Sequence, residues 1–529
     1  MHVMNMKTGL LLFMAISGTV SRTSAQTTDP LRFDPENYTV QTLQMPDGSS
    51  VSYKAYEGIH YVTNVEDPAY QTLNLYVPET LEAGTAVPIL LRTYVGGYMA
   101  STAKTPSATD ATGRALSEGY VVCIPGSRGS NSVVSENGKD IYTGIAPNGL
   151  LDLKAAVRYL HYNDDVMPGD ADRIFTDGTS AGGAMSALLG ATGNCPEYAP
   201  YLERMGAAPG RDDVFASICY CPITDLDHAD SEYEWLYGCT NDGVRGLDSA
   251  QKRISSELAA QCPAYLESLN LTTPDGEKLT ADNYREYLKK LLMASAHKAL
   301  EAGAEIPDSI GIVFYQEKRL PVSGHLPEGM APRPGHPQNG RPQNGRPEML
   351  DGRGAPSFGP GGGAPRFNNR TDFVADIDLD VYLAYVASVT PLKTPPAFDA
   401  WGVLGSPASP ENKVFGNEQG EPANFTDFSL RQHSQDGDAA IDPALQQRIY
   451  LMNPMNFIGA SDSTLAGHWF IRHGARDRDT SFLVPINLAT KLQNTGADVD
   501  FALPWNRPHS GDYNLDELFE WIKRTASAR

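Results

Sequence analysis

Positive charge is scarce in this sequence. Its 529 residues carry 42 Lys and Arg against 64 Asp and Glu, a formal net charge of −22. A phosphate backbone or an anionic membrane needs a basic footprint on its partner, so nucleic acid and charged lipid are not expected partners. Long apolar runs are lacking too. The stretch "GLLLFMAIS" (Gly9–Ser17) falls well short of the ~20 residues a membrane-spanning helix requires. It follows Lys7 and precedes "TSA" and Gln26, a pattern that predicts an export signal over residues 1–25 and a secreted or periplasmic mature protein. Loss of that segment removes Lys7 and Arg22 and takes the charge from −22 to −24.

Cysteine is sparse: Cys123, Cys195, Cys219, Cys221, Cys239 and Cys262. Export would permit disulfides, and the expectation is a mixture of buried thiols with one or two bridges. No His stands at ligand spacing to a Cys pair, so neither a metal site nor a cofactor is expected. The segment "TDLDHAD" (Thr224–Asp230) reads as a solvated or hydrogen-bonded loop rather than a metal cluster.

The chain is 41% hydrophobic, enough for a sizeable core. From about Val51 to Thr224 short apolar runs bounded by Gly or Pro alternate with helical patterns. "LNLYVPE" (Leu73–Glu79), "AVPILLRTYV" (Ala86–Val95), "GYVVCIPG" (Gly119–Gly126), "DRIFTDG" (Asp172–Gly178) and "VFASICYCPITD" (Val214–Asp225) read as strands. "LDLKAAVRYLHYND" (Leu151–Asp164) and "SAGGAMSALLGATG" read as helices. This order predicts an α/β fold with a mostly parallel sheet covered by helices. The alternation stops over residues 225–460, which predicts a large lid inserted into the core. Within it the Pro/Gly-dense tract Gly324–Asn369, with its PQNGR repeat, predicts a disordered segment. The pattern resumes with "HWFIRHG" and "ADVDFAL" and closes on the helix "NLDELFEWIKRTA", so residues 27–224 and 461–529 form the core.

Chemistry concentrates in "DGTSAGG" (Asp177–Gly183), a G-x-S-x-G between a strand and a small-residue helix. Such glycines permit the sharp turn that lifts a serine hydroxyl above a sheet edge, so Ser180 is the candidate nucleophile. A serine hydroxyl needs a base beside it. In this fold the acid and the histidine follow in that order. Among His433, His468, His473 and His509, the loop "NRPHSGDY" before the last helix favours His509, while His473 reads as structural. Asp477 and Asp479 compete for the acid, and the H-G-x-x-D spacing from His473 favours Asp477. The backbone N–H of Ala181 and that of Gly97, in "YVGGYM", are the candidate oxyanion donors.

The blocks "GTSAGGAMSALLGATGN", "YCPITDLDHAD", "LKTPPAFDA", "SPENKVFG", "HGARDRDTS" and "DVDFALPWNRPHSGDY" together resemble the bacterial tannases, serine esterases of the α/β-hydrolase fold that cleave galloyl esters and depsides. The resemblance implies a small phenolic ester as substrate and a triad of Ser180, Asp477 and His509. It also implies that Lys393, Glu411 and Asp479 hold the galloyl hydroxyls. The stretch between Lys393 and Glu411 is a few residues longer than the family pattern. Thr179 and Pro508 stand where fungal-type tannases and feruloyl esterases carry cysteines. Esterases for other phenolic acids, such as ferulate or protocatechuate, and serine peptidases of the same fold are the alternatives.

Overall fold

The computed structural model describes residues 29–82, 84–314 and 373–527. The expected export signal and the Gly324–Asn369 tract therefore lie outside the described residues. The chain opens with strands β1 (Thr39–Gln44), β2 (Ser50–His60), β3 (Thr72–Pro78) and β4 (Ile89–Arg92), then helix α1 (Ala111–Ser117) and β5 (Val121–Pro125). A hairpin of β6 (Val133–Glu136) and β7 (Lys139–Tyr142) precedes α2 (Asn148–Tyr162), β8 (Ile174–Thr179), α3 (Ala181–Ala191), α4 (Ala199–Arg204) and β9 (Ala216–Tyr220).

Nine strands form one sheet in the order β1-β2-β3-β5-β4-β8-β9, continued by β12 (His468–Arg472) and β13 (Asp498–Ala502). The pairings from β5 through β4, β8, β9 and β12 to β13 are parallel, and the three at the β1 end are antiparallel. The parallel strands β4, β5, β8 and β9 are buried along nearly their whole length, as strands covered on both faces must be. One face packs Leu75, Ile89, Leu91 and Ile174 against α2 and α3 residues such as Leu153 and Leu188. The other packs Leu90, Val122, Phe175 and Ile218 against α1 and the final helix, through Phe519 and Trp521.

Between β9 and β12 the described chain leaves the sheet. It forms α5 (Leu226–Tyr237), α6 (Ser249–Ala259), α7 (Cys262–Leu269), α8 (Ala281–Glu301), a short antiparallel pair β10 (Ile312–Phe314) and β11 (Val374–Ile377), and α9 (Leu379–Val389). Then follow α10 (Pro410–Val414), α11 (Asp427–Ser434) and α12 (Pro443–Leu451), with α13 (Leu483–Thr495) and α14 (Leu515–Ser527) returning to the core. Among the described residues no helix is long and apolar enough to cross a membrane.

Two expectations are corrected. All six cysteines are free, so the one or two bridges are not formed. Five of them are buried singly as small apolar groups, and Cys239 is exposed. "TDLDHAD" is not simply a loop: Asp225, in the left-handed region, caps α5, and the rest of the segment starts that helix.

Candidate active site

Four connections at the C-terminal ends of parallel strands build the site, the usual place for ligands in an open α/β sheet. The turn after β8 carries Ser180 at φ 64°, ψ −127°, an uncommon conformation for a residue with a side chain. The neighbouring glycines make that turn possible by close approach. A Cβ on Gly178 would stand 2.2 Å from the Gly182 carbonyl oxygen, and one on Gly183 would stand 2.7 Å from that of Tyr220. Ser180 donates its N–H to the Tyr220 carbonyl at 2.9 Å, and its own carbonyl accepts from Ala184 at 3.0 Å. Ala181 opens α3, where the helix leaves N–H groups unpaired and positively polarised.

The loop after β4 brings Gly97, at φ 55°, beside Pro410, so the second candidate oxyanion donor faces the start of α10. Next to it Tyr98 is buried and donates its hydroxyl to the Ile223 carbonyl at 2.7 Å, and the Ile223 N–H reaches the Ser180 carbonyl. The two candidate donor segments are thereby tied together.

The loops after β12 and β13 carry the acid and the histidine. Their backbones are laced: His473 N–H to Ala502, Ala475 to Pro504 and Arg476 to Arg507. His509 Nδ1 meets Asp477 Oδ2 at 2.8 Å, and the Asp479 N–H donates to Asp477 Oδ1 at 2.8 Å. Burial opposes ionisation of Asp477, but His473 and the His509 hydrogen bond outweigh it and bring its carboxyl down to about 2. Burial likewise disfavours protonation of His509. The Asp477 hydrogen bond and the charges of Asp477 and Asp479 overcome this and raise its pKa above the ordinary 6.5. The His509 loop is pressed onto the elbow, since a Cβ on Gly511 would lie 2.1 Å from the Thr179 hydroxyl.

The insertion supplies Lys393 and Glu411, and the loop after β12 supplies Asp479. Lys393 feels Glu411 and Asp479; burial lowers its pKa while both carboxylates resist that shift. Glu411 is only 7% exposed; burial raises its carboxyl, and Lys393 opposes the rise. Asp479 Oδ2 lies 3.8 Å from His509 Nδ1, and Asp479 Oδ1 pairs with Arg478 at 2.8 Å. The Lys393 carbonyl accepts from Arg245, and its N–H donates to the Tyr233 hydroxyl at 3.1 Å. That hydroxyl donates to the Arg478 carbonyl at 2.8 Å, linking the Lys393 and Asp479 segments. The other histidines lie elsewhere: His468 pairs with Asp498 at 2.9 Å and His433 with Asn424 at 2.8 Å.

Two supports escaped the sequence reading. Arg92 grips Asp512 with both terminal nitrogens, at 3.1 and 3.0 Å, and also bonds Asp177, anchoring the His509 loop to β4 and β8. Tyr513 donates to the Pro508 carbonyl at 2.6 Å, accepts from the Ser510 N–H and meets Cys221 Sγ at 3.0 Å. Nothing in a lone Arg or Tyr marks such a role before the loops are brought together. Asp225, Asp227 and His228 place possible ligand atoms within 4.8 Å of one another. The Asp225 carboxylate is already engaged by His228, Tyr265 and Asn453.

Comparison with known proteins decides the family. The structure of Fusobacterium nucleatum tannase is 34% identical, covers 94% of this chain and 99% of its own, and superposes with a TM-score of 0.75. Tannin acyl hydrolase from Lactobacillus plantarum is also 34% identical, with 94% and 98% covered and a TM-score of 0.74. The chain belongs to the tannase family. A tannin acyl hydrolase solved in complex with ethyl gallate is similar at 34% identity and TM-score 0.74, covering 93% of this chain and 98% of that one. The BD-FAE family model matches residues 73–243. No curated protein matches the chain. As a tannase-family member on an α/β-hydrolase fold, the chain is a carboxylic ester hydrolase.

Proposed function

We propose that this esterase hydrolyses galloyl ester and depside bonds of hydrolysable tannins to gallic acid, through an acyl-enzyme on Ser180. The observation that carries the reading is that Lys393 lies within the electrostatic reach of Glu411, Asp479 and His509, with Asp479 3.8 Å from His509. A trihydroxyphenyl ring offers hydroxyls that both donate and accept. The Glu411 and Asp479 carboxyl groups supply hydrogen-bond acceptors, whereas the Lys393 ammonium only donates. The ethyl gallate complex of a similar tannin acyl hydrolase supports the same substrate class.

In this reading His509 takes the proton from Ser180 as its oxygen attacks the galloyl carbonyl. Asp477 orients the ring and offsets the imidazolium charge. The N–H groups of Gly97 and Ala181 receive the oxyanion. His509 returns the proton to the departing alcohol. It then takes one from water as that water attacks the acyl-enzyme; the bond from the acyl carbon to Ser180 Oγ breaks, His509 returns the proton to Ser180, and gallate leaves. A similar tannin acyl hydrolase was solved with 3,4-dihydroxybenzoate, which favours protocatechuate esters as a second acyl group. The export pattern ahead of Gln26 supports a secreted or periplasmic enzyme.

Parallel kinetics on methyl gallate, methyl protocatechuate, methyl ferulate and methyl benzoate test the assignment. A pocket built to bond hydroxyls disfavours the unsubstituted ring by about 10⁴ or more in kcat/KM, because buried charges are left unpaired. Comparable rates on gallate and benzoate would sink it.

A further inference from the structure

One buried titratable group near the site has no part in the triad. His473 follows β12 directly and is 0% exposed. Its ring meets Phe482 edge-on, with centroids 5.1 Å apart. Neither ring nitrogen has a hydrogen-bond partner among the described residues. Its Nδ1 stands 3.5 Å from Asp477 Oδ2, the same oxygen that His509 engages at 2.8 Å. Cys221 lies in the same cluster.

A buried imidazole with both nitrogens free is costly unless something requires it. Burial disfavours its protonated form and lowers its pKa, despite the nearby Asp477 carboxylate. A neutral ring carries one N–H, and on Nδ1 that donor stands 3.5 Å from Asp477 Oδ2, beside the carboxylate without a formed hydrogen bond. The carboxylate is bonded by the Asp479 N–H and by His509, and His473 Nδ1 flanks it at 3.5 Å. Asp477 must remain ionised and correctly turned when His509 becomes imidazolium, and it is sealed from water.

Resting on the triad proposed above, we propose that His473 is a positioning residue: a second imidazole that holds the Asp477 carboxylate in the orientation His509 needs. It touches no reacting atom. Its effect passes through Asp477, so the two side chains must be coupled.

The test is a double-mutant cycle on methyl gallate hydrolysis with the full chain. His473→Phe keeps a ring against Phe482 but removes the donor. It should lower kcat about tenfold to a hundredfold, the range an outer partner of a metal ligand is worth, with KM within about twofold. His473→Asn, which restores a donor, should recover most of kcat. In an Asp477→Asn background His473→Phe should change kcat by less than about twofold. Thermal melting reports whether each variant is folded, and His473→Leu enters the cycle if the Phe variant is not. A folded donor-less variant with the parent kcat, or an equal loss in both backgrounds, overturns the proposal. An Asp477→Asn enzyme that is itself fully active overturns the triad instead.

Discussion

His509 Nδ1 lies 2.8 Å from Asp477 Oδ2, across 32 residues of sequence and a loop apiece from neighbouring parallel strands. That contact fixes Nδ1 as the ring nitrogen that faces the acid. Asp477→Asn leaves the shape of the pair but disturbs the tautomer. Steady-state assays should show kcat reduced by about 10⁴ with a nearly unchanged KM. A loss confined to KM would remove Asp477 from the triad.

The raised His509 pKa predicts where activity fails in acid. The base works only when neutral, so kcat/KM should fall as pH drops through a value above 6.5. Asp479 raises that value and Lys393 lowers it. The residual activity of Asp479→Asn should therefore lose its acid limb at lower pH than the parent, and that of Lys393→Met at higher pH. Limbs that stay fixed in both variants would separate these residues electrostatically from His509.

Glu411 is buried beside Lys393, so its substitution should be read in the acyl group. Glu411→Gln should weaken gallate inhibition and lower kcat/KM for methyl gallate by about tenfold or more, with little change for methyl benzoate. Equal losses on both esters would place Glu411 outside the hydroxyl contacts.

The elbow glycines make a prediction about folding. A Cβ on Gly178 would collide with the Gly182 carbonyl oxygen at 2.2 Å, and that backbone has little room to retreat. Gly178→Ala should cost about 1–3 kcal/mol or more, visible as a lowered urea midpoint. An unchanged midpoint would mean that the turn is looser than described.

Thiol chemistry checks the corrected cysteines. In the native protein Ellman's reagent should modify Cys239 readily, and in denaturant all six cysteines should react without prior reduction. Fewer titratable thiols before reduction than after it would restore a disulfide.

The sequence made the central strands legible because β4, β5, β8 and β9 are buried on both faces, so each carries a short apolar run, such as Ile89–Leu91 in β4 and Ile174-Phe175 in β8. β1 escaped notice for the opposite reason. It is a sheet edge with the exposed, mostly polar sequence TVQTLQ, which carries little burial signal. The turn at Ser180 and the pairing of Asp477 with His509 were legible from motif and chain order. Lys393 and Glu411 were reachable only by resemblance, since they join the site through the insertion, whose packing no local pattern encodes. The H-G-x-x-D spacing tied His473 to Asp477 in the sequence, and the structure sets its Nδ1 3.5 Å from that carboxylate. Arg92 reaches the His509 loop at Asp512 over 420 residues, and Tyr513, within that loop, meets Cys221 over 292, separations that no local pattern encodes.

The most direct test of the account is Ser180→Ala assayed on methyl gallate, alongside gallate binding by calorimetry. The account predicts a folded protein that still binds gallate and has lost at least about 10⁴-fold in kcat, as removal of a serine nucleophile does elsewhere. Turnover at the parent rate would contradict it, and with it the acyl-enzyme at Ser180.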